Sequence, residues 1–180
     1  SNLFRLRQID DLFGGRIQTL ASNAFNIAAA TKDADLLVGS VLIPGALTPK
    51  LVTEAMVKTM KPGSAIVDVA IDQGGCIEPT AKHGATYHDK PTFKYPVNGG
   101  EVVCYSVGNM PGAVARTSTF TLTNATMPYM VDLANKGWKK ACQDDKALAR
   151  GINTYDGKVY FKGVSDALGY ELHCTCDILK

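Results

Sequence analysis

Val67-Asp68-Val69-Ala70-Ile71-Asp72-Gln73-Gly74-Gly75 is a short β-branched run that ends on a carboxylate and passes at once into two glycines. In an open α/β sheet, ligands and reacting groups gather at the carboxyl ends of the strands. Asp72 is placed to act on a bound substrate or to hold a cofactor ribose, and Gly74 and Gly75 let backbone approach closely. A bare Asp-x-Gly-Gly is more often just a strand followed by a tight turn. What stands on either side of it decides.

Upstream, Leu3, Leu6, Ile9, Leu12 and Phe13 recur at helical spacing, and Gly14-Gly15 supplies a C-cap. Residues 16–20 read as a short strand. Residues 24–31 read as a helix, with Ser22 or Asn23 to cap it. Residues 36–43 form a nearly continuous apolar run of strand length, as expected of a strand covered on both faces. Thr48-Pro49 then suggests a cap and first helical position, with a helix to Met60 that Lys61-Pro62-Gly63 stops. Residues 64–71 are the next buried strand. Strands and helices therefore alternate, the pattern of a parallel sheet with right-handed crossovers.

After Gly75 the rhythm changes. Residues 76–100 are rich in loop signals, with only 92–95 as a possible strand, and 101–107 form a further strand broken by Gly108-Asn109-Met110-Pro111-Gly112. Residues 117–136 read as helix, with Pro128 expected to kink it. A second helix runs from Gly137-Trp138 to about Arg150. A turn at Asp156-Gly157, a short strand at 158–161 and a helical turn at 164–168 follow.

The 180 residues are 46% hydrophobic and 20% charged, with formal net charge +2, which is ordinary globular composition. The basic residues are scattered, so no nucleic-acid footprint is expected. The longest mainly apolar stretch, 36–47, is too short and too broken to span a bilayer, so no membrane partner is expected either. Cys76, Cys104, Cys142, Cys174 and Cys176 are odd in number and widely spread, which fits reduced thiols in a cytoplasm better than a disulfide framework. His173-Cys174-Thr175-Cys176 lacks a second pair at zinc spacing, and His83 and His88 sit in a loop, so no metal is expected.

No G-x-G-x-x-G occurs, although a nucleotide-binding half-sheet normally begins with that phosphate turn. The chain opens instead on a helix and without Met, so the expectation is that the domain begins upstream of Ser1.

In order along the chain stand Arg5-Leu6-Arg7-Gln8-Ile9-Asp10, Phe13-Gly14-Gly15-Arg16, Val41-Leu42-Ile43-Pro44-Gly45-Ala46, Met60-Lys61-Pro62-Gly63, Val67 to Cys76, Asn109-Met110-Pro111-Gly112-Ala113-Val114 and Leu133-Ala134-Asn135-Lys136-Gly137-Trp138. With these runs the chain resembles the NAD-dependent alanine dehydrogenases, a family that also holds domain I of the proton-translocating transhydrogenases. The Ala70-Ile71-Asp72-Gln73-Gly74-Gly75 form is similar to the dehydrogenase side.

The resemblance implies the later part of a Rossmann-like parallel-sheet domain over residues 1–116. Residues 117–180 would be a connecting helix and the C-terminal part of a substrate domain. It implies NAD as cofactor, L-alanine and pyruvate as substrates, a homo-oligomer and a cytoplasmic location. Asp72 would be the catalytic aspartate beside the nicotinamide. Val41, Leu42 and Val69 would lie along the NAD, Val107, Asn109 and Met110 would border its nicotinamide side, and Arg5 and Ser22 would reach its adenosine end. The catalytic histidine and the basic residues that hold the substrate carboxylate would lie upstream, and none of the three histidines here matches that motif. The residue that chooses NAD over NADP would lie there too.

Three departures stand out: a longer loop over residues 77–100, Lys90 before Pro91, and Ala115 where Pro commonly precedes Arg116. The implied activity is reversible oxidative deamination of L-alanine to pyruvate and ammonia, with this chain alone inactive. The alternative is a transhydrogenase-type NAD(H)-binding module without amino-acid chemistry.

Overall fold

Asn2 opens the first helix, its side-chain oxygen accepting from the Arg5 amide at 3.1 Å, and Gly14 closes it in the left-handed conformation. This helix is α1, Leu3–Phe13. The computed structural model describes residues 2–41, 43 and 47–180. They divide into two units, one holding residues 2–41 and 48–108, the other Ile43, Leu47 and residues 109–180.

In the first unit, α2 (Ala24–Asp33) is capped by Asn23, which accepts from the Asn26 amide at 2.8 Å. Four strands form one sheet in the order β1-β2-β4-β3. β1 (Leu36–Gly39), β2 (Ala65–Asp68) and β4 (Gly100–Tyr105) are parallel, while β3 (Thr92–Val97) runs antiparallel to β4. Two short helices, α3 (Glu54–Val57) and α4 (Glu78–His83), complete the unit. Val57, Met60, Ile66, Ile77, Val102 and Cys104 are the centre of its core. Glu54 ties three elements together, accepting from Lys82 on α4 and from the Tyr95 hydroxyl on β3. The mixed, mostly parallel sheet with helices is the α/β architecture expected from the alternating pattern.

Several local expectations are corrected. Residues 16–20 are not a strand: they pass as turn and irregular backbone. β1 is not covered on both faces: Leu36 and Val38, which share one face, are 58% and 52% exposed, while Gly39 on the other face is buried. No helix begins at Thr48. The cap is Thr53, accepting from the Met56 amide, and residues 48–52 instead lie against the segment 73–78. The strand expected over 64–71 ends at Asp68, and a 3-10 turn, Val69–Gln73, takes over. The loop-rich stretch 76–100 contains α4 and most of a hairpin. Its two-residue connection is Asn98-Gly99, with Gly99 at φ +87.

The second unit carries α5 (Ala115–Asp144, 30 residues), whose backbone stays helical through Pro128 and breaks at Gly137 (φ 74, ψ 159). Proline costs the helix one amide hydrogen bond but keeps a helical φ, whereas a positive φ at glycine leaves the helix outright. α6 (Lys146–Ala149) is capped by Asp145, a hairpin joins β5 (Thr154–Tyr155) to β6 (Lys158–Val159), and α7 (Lys162–Leu168) follows. Asp156 (φ 47) and Gly157 (φ 71) make the turn, as the sequence suggested. Not all five cysteines are thiols: Cys174 and Cys176 form a disulfide, and Cys76, Cys104 and Cys142 are buried free thiols. Among the described residues no helix is long and apolar enough to cross a membrane, and no group of three candidate ligands could hold a metal ion.

Candidate functional site

β2 carries its ladder to Asp68 and stops there, because the Asp68 side chain turns back and caps the 3-10 turn, accepting from the Ala70 amide at 3.2 Å. Gly74 (φ +87) and Gly75 (φ +73) then reverse the chain in conformations that favour glycine. Asp68 is fully buried and also receives the return limb. Its oxygens accept from the Cys76 amide (3.1 Å), the Ile77 amide (3.2 Å) and the Thr80 hydroxyl (2.5 Å). From the other side the Thr48 amide and hydroxyl donate to the Gln73 carbonyl at 3.0 and 2.9 Å. The Lys50 ammonium donates to the Gly74 and Gly75 carbonyls at 2.5 and 2.6 Å. The turn is therefore held at its base and along its outer rim, and Asp72 rides on it, exposed.

Asp72 lines a cleft of about 340 Å³ together with Ser40, Val41, Val69, Ala70 and Gln73. The cleft stands at the carboxyl ends of β1 and β2, the position the sheet topology favours for a ligand. Val41 and Val69 give it apolar sides, and Asp72 supplies the carboxylate. Gln73 also lines it, while its own Oε1 is buried away from solvent with no hydrogen-bond partner among the described residues. Just past β4, a Cβ on Gly108 would meet Asp72 Oδ1 at 3.2 Å, so a side chain there would crowd the carboxylate.

The thiols of this unit are not poised for chemistry. Burial pushes the Cys76 thiol up, with the Asp68 charge adding to it, and burial alone raises Cys104 to about 11.

Of the residues singled out from the sequence, Val41, Val69 and Asp72 come together at this cleft. Val107 is 1% exposed, enclosed in the unit beside Gly108. Arg5 lies on α1, where its guanidinium donates to Gln8, and Ser22 precedes the Asn23 cap of α2; neither lines the cleft. Leu42 lies outside the described residues. Asn109 (φ 53) and Met110 belong to the second unit, at the start of a 3-10 turn, Met110–Val114.

Sequence reasoning passed over Asp68, Thr48, Lys50 and Gln73. For Asp68 a signal existed: a carboxylate between Val67 and Val69 in a buried strand needs several donors to be tolerated. For Thr48 and Lys50 the Thr-Pro pair pointed to a helix and hid the bracing role.

A mostly parallel α/β sheet with a cleft at its strand carboxyl ends defines a Rossmann-like domain. The chain belongs to the alanine dehydrogenase/PNT family, whose C-terminal domain model matches residues 1–162. It is 59% identical to the alanine dehydrogenase of Bacillus subtilis (strain 168) over 170 residues, 94% of this chain and 43% of that protein. It is 56% identical to that of Methanococcus maripaludis over 166 residues, 92% of this chain and 43% of that protein. A solved structure titled L-alanine dehydrogenase matches 93% of this chain and 44% of its own, with 46% identity and a TM-score of 0.77. The chain thus spans under half the length of the curated relatives it matches.

Proposed function

We propose that this chain is the cofactor-side portion of an L-alanine dehydrogenase, which oxidatively deaminates L-alanine to pyruvate and ammonia with NAD. The observation that carries it is Asp72, a carboxylate on the rim of a cleft with apolar sides, at the carboxyl ends of two parallel strands. The 52–59% identity to relatives named alanine dehydrogenase supports the particular reaction.

The cleft suits a nicotinamide. Val41 and Val69 offer apolar contact at its sides, and Asp72 stands on its rim. When bound, the cofactor supplies the hydride acceptor. The protein's part is positional and electrostatic. Asp72 stabilises the cationic imine left on the substrate and orients the water that attacks it. It also takes part in moving protons between that water and the departing nitrogen.

Residues 1–116 are assigned to the cofactor domain, and 117–180 to a connecting helix and substrate-domain segment. The division of the described residues between Gly108 and Asn109 supports a boundary close to that point. Leu42, Val107, Asn109, Met110, Arg5 and Ser22 keep their proposed cofactor roles. Exposed apolar residues along α5, among them Phe120, Leu122, Met127 and Met130, support a homo-oligomer. The buried free thiols Cys76, Cys104 and Cys142 support a cytoplasmic location.

The test is NADH formation by the protein expressed from its complete coding sequence. It should require L-alanine, and Asp72→Asn should lower kcat by about 100-fold or more while NADH binding, read by fluorescence, persists. Wild-type kinetics in Asp72→Asn would refute the role of Asp72. NADH binding with no response to alanine or pyruvate would favour the transhydrogenase-type module.

A further inference from the structure

Asp68 is the charged residue of the strand β2 and is fully buried. Its backbone partners are all donors, the Ala70, Cys76 and Ile77 amides, and the Cys76 thiol and the Thr80 hydroxyl, which also reaches the Ile77 carbonyl at 2.9 Å, complete the set. Three backbone amides converging on one side chain call for acceptor oxygens, and aspartate supplies two. Burying a carboxylate is costly, and an apolar side chain of similar volume would leave the Ala70, Cys76 and Ile77 amides without this acceptor. What the carboxylate provides is geometry. Its donors come from residue 70, before Asp72, and from residues 76, 77 and 80, after it. One side chain thus clamps both limbs of the turn that carries Asp72. Gly75 fits the same account, because a Cβ there would stand 2.8 Å from Asp68 Oδ2.

We propose that Asp68 is a positioning residue for this site, fixing through the Val69–Gln73 turn where the Asp72 carboxylate stands in the cleft. Its effect on catalysis rests on the dehydrogenase reading above; the clamp itself does not.

Thr80 gives the cleanest handle, since its hydroxyl bonds Asp68 from α4 and it is not among the residues lining the cleft. Thr80→Val, Thr80→Ser and Asp68→Asn are compared in the protein expressed from its complete coding sequence. A carboxamide at 68 must turn its own NH2 toward amide or hydroxyl donors whichever way it flips. In Thr80→Val, kcat should fall about tenfold or more, with KM for NAD changed by less than about threefold. Hydrogen exchange should quicken at the Cys76 and Ile77 amides and stay unchanged at Val103, whose amide bonds Ser64 in the sheet. Thr80→Ser should restore both readouts.

A wild-type kcat per folded molecule in Thr80→Val overturns the proposal, as does Thr80→Ser behaving like Thr80→Val. The Thr80 pair decides the matter even if Asp68→Asn does not fold. If the wild-type protein shows no alanine-dependent NAD reduction, the dehydrogenase reading falls, and exchange alone then judges the clamp. Unaltered exchange at Cys76 and Ile77 in Thr80→Val would overturn it.

Discussion

Alanine at position 75 should cost much more than alanine at position 63, although both glycines have a left-handed φ, +73 and +84. A non-glycine residue in that region is strained by about 1–2 kcal/mol. The loss of glycine's freedom in the unfolded chain returns about 0.4–1 kcal/mol. At Gly63 a Cβ meets nothing within 4 Å, so the net cost of Gly63→Ala is roughly 0–1.5 kcal/mol. At Gly75 the new Cβ would stand 2.8 Å from Asp68 Oδ2 and 3.3 Å from both the Ala81 Cβ and the Ile71 Cδ1. The carboxylate cannot swing clear without losing Thr80, Cys76 and Ile77 as partners, so an overpacking cost of about 1–3 kcal/mol adds to the strain. That increment is large against a domain stability of roughly 5–15 kcal/mol. Urea unfolding followed by circular dichroism reads it directly: at a slope near 2 kcal/mol per molar, the Gly75→Ala midpoint should fall about 0.5–1.5 M below that of Gly63→Ala. Equal midpoints would show that Asp68 does not press on residue 75, and would refute the close packing of the turn.

Two further outcomes follow from the electrostatics. Hydrogen bonds from Lys82 and Tyr95 hold the Glu54 carboxyl at about 2, below its ordinary value of 4.5. The folded state therefore gains from Glu54 above pH 4.5 and loses that gain as pH falls toward 2, so Glu54→Gln should flatten the acid limb of a midpoint-against-pH curve. Tyr95, pushed up to about 12 chiefly by burial and then by Glu54, works in the opposite sense. Its contribution is present below pH 10 and lost as pH rises toward 12, and Tyr95→Phe should remove that alkaline slope. A disulfide-exchange reagent should find no rapidly reacting thiol in the native chain and three after unfolding, since Cys76, Cys104 and Cys142 are all buried with raised thiol pKa values.

Much of the fold is legible in residue order because local chemistry and tertiary packing agree. Helix α1 has its apolar spacing, its Asn2 cap and its Gly14 stop, and the Asp156-Gly157 turn needs nothing beyond its own two residues. Where a segment answers to a distant partner, the local signal misleads. Thr48-Pro49 has the chemistry of a helix start, yet Thr48 bonds the Gln73 carbonyl and residues 50–52 are taken up by the turn below Asp72. β1 is apolar enough for two-sided burial, but the face bearing Leu36 and Val38 is left uncovered. The carboxylate of the site is legible from the Asp-x-Gly-Gly run, and Val41 and Val69 meet it at the cleft. The clamp behind it is not, because nothing in the order of residues says that Asp68 and Thr80 converge.

The sheet of the first unit joins pairings of very different range. β3 and β4 are joined by Asn98-Gly99 and close over a handful of residues, whereas β2 must find β1 and β4 across long intervening stretches. Loop-closure entropy grows with the chain enclosed, so the hairpin pairing costs the least entropy and the central strand's pairings the most. The turn that bears Asp72 hangs from that strand, and so the candidate cleft depends on the longest-range pairings of the sheet.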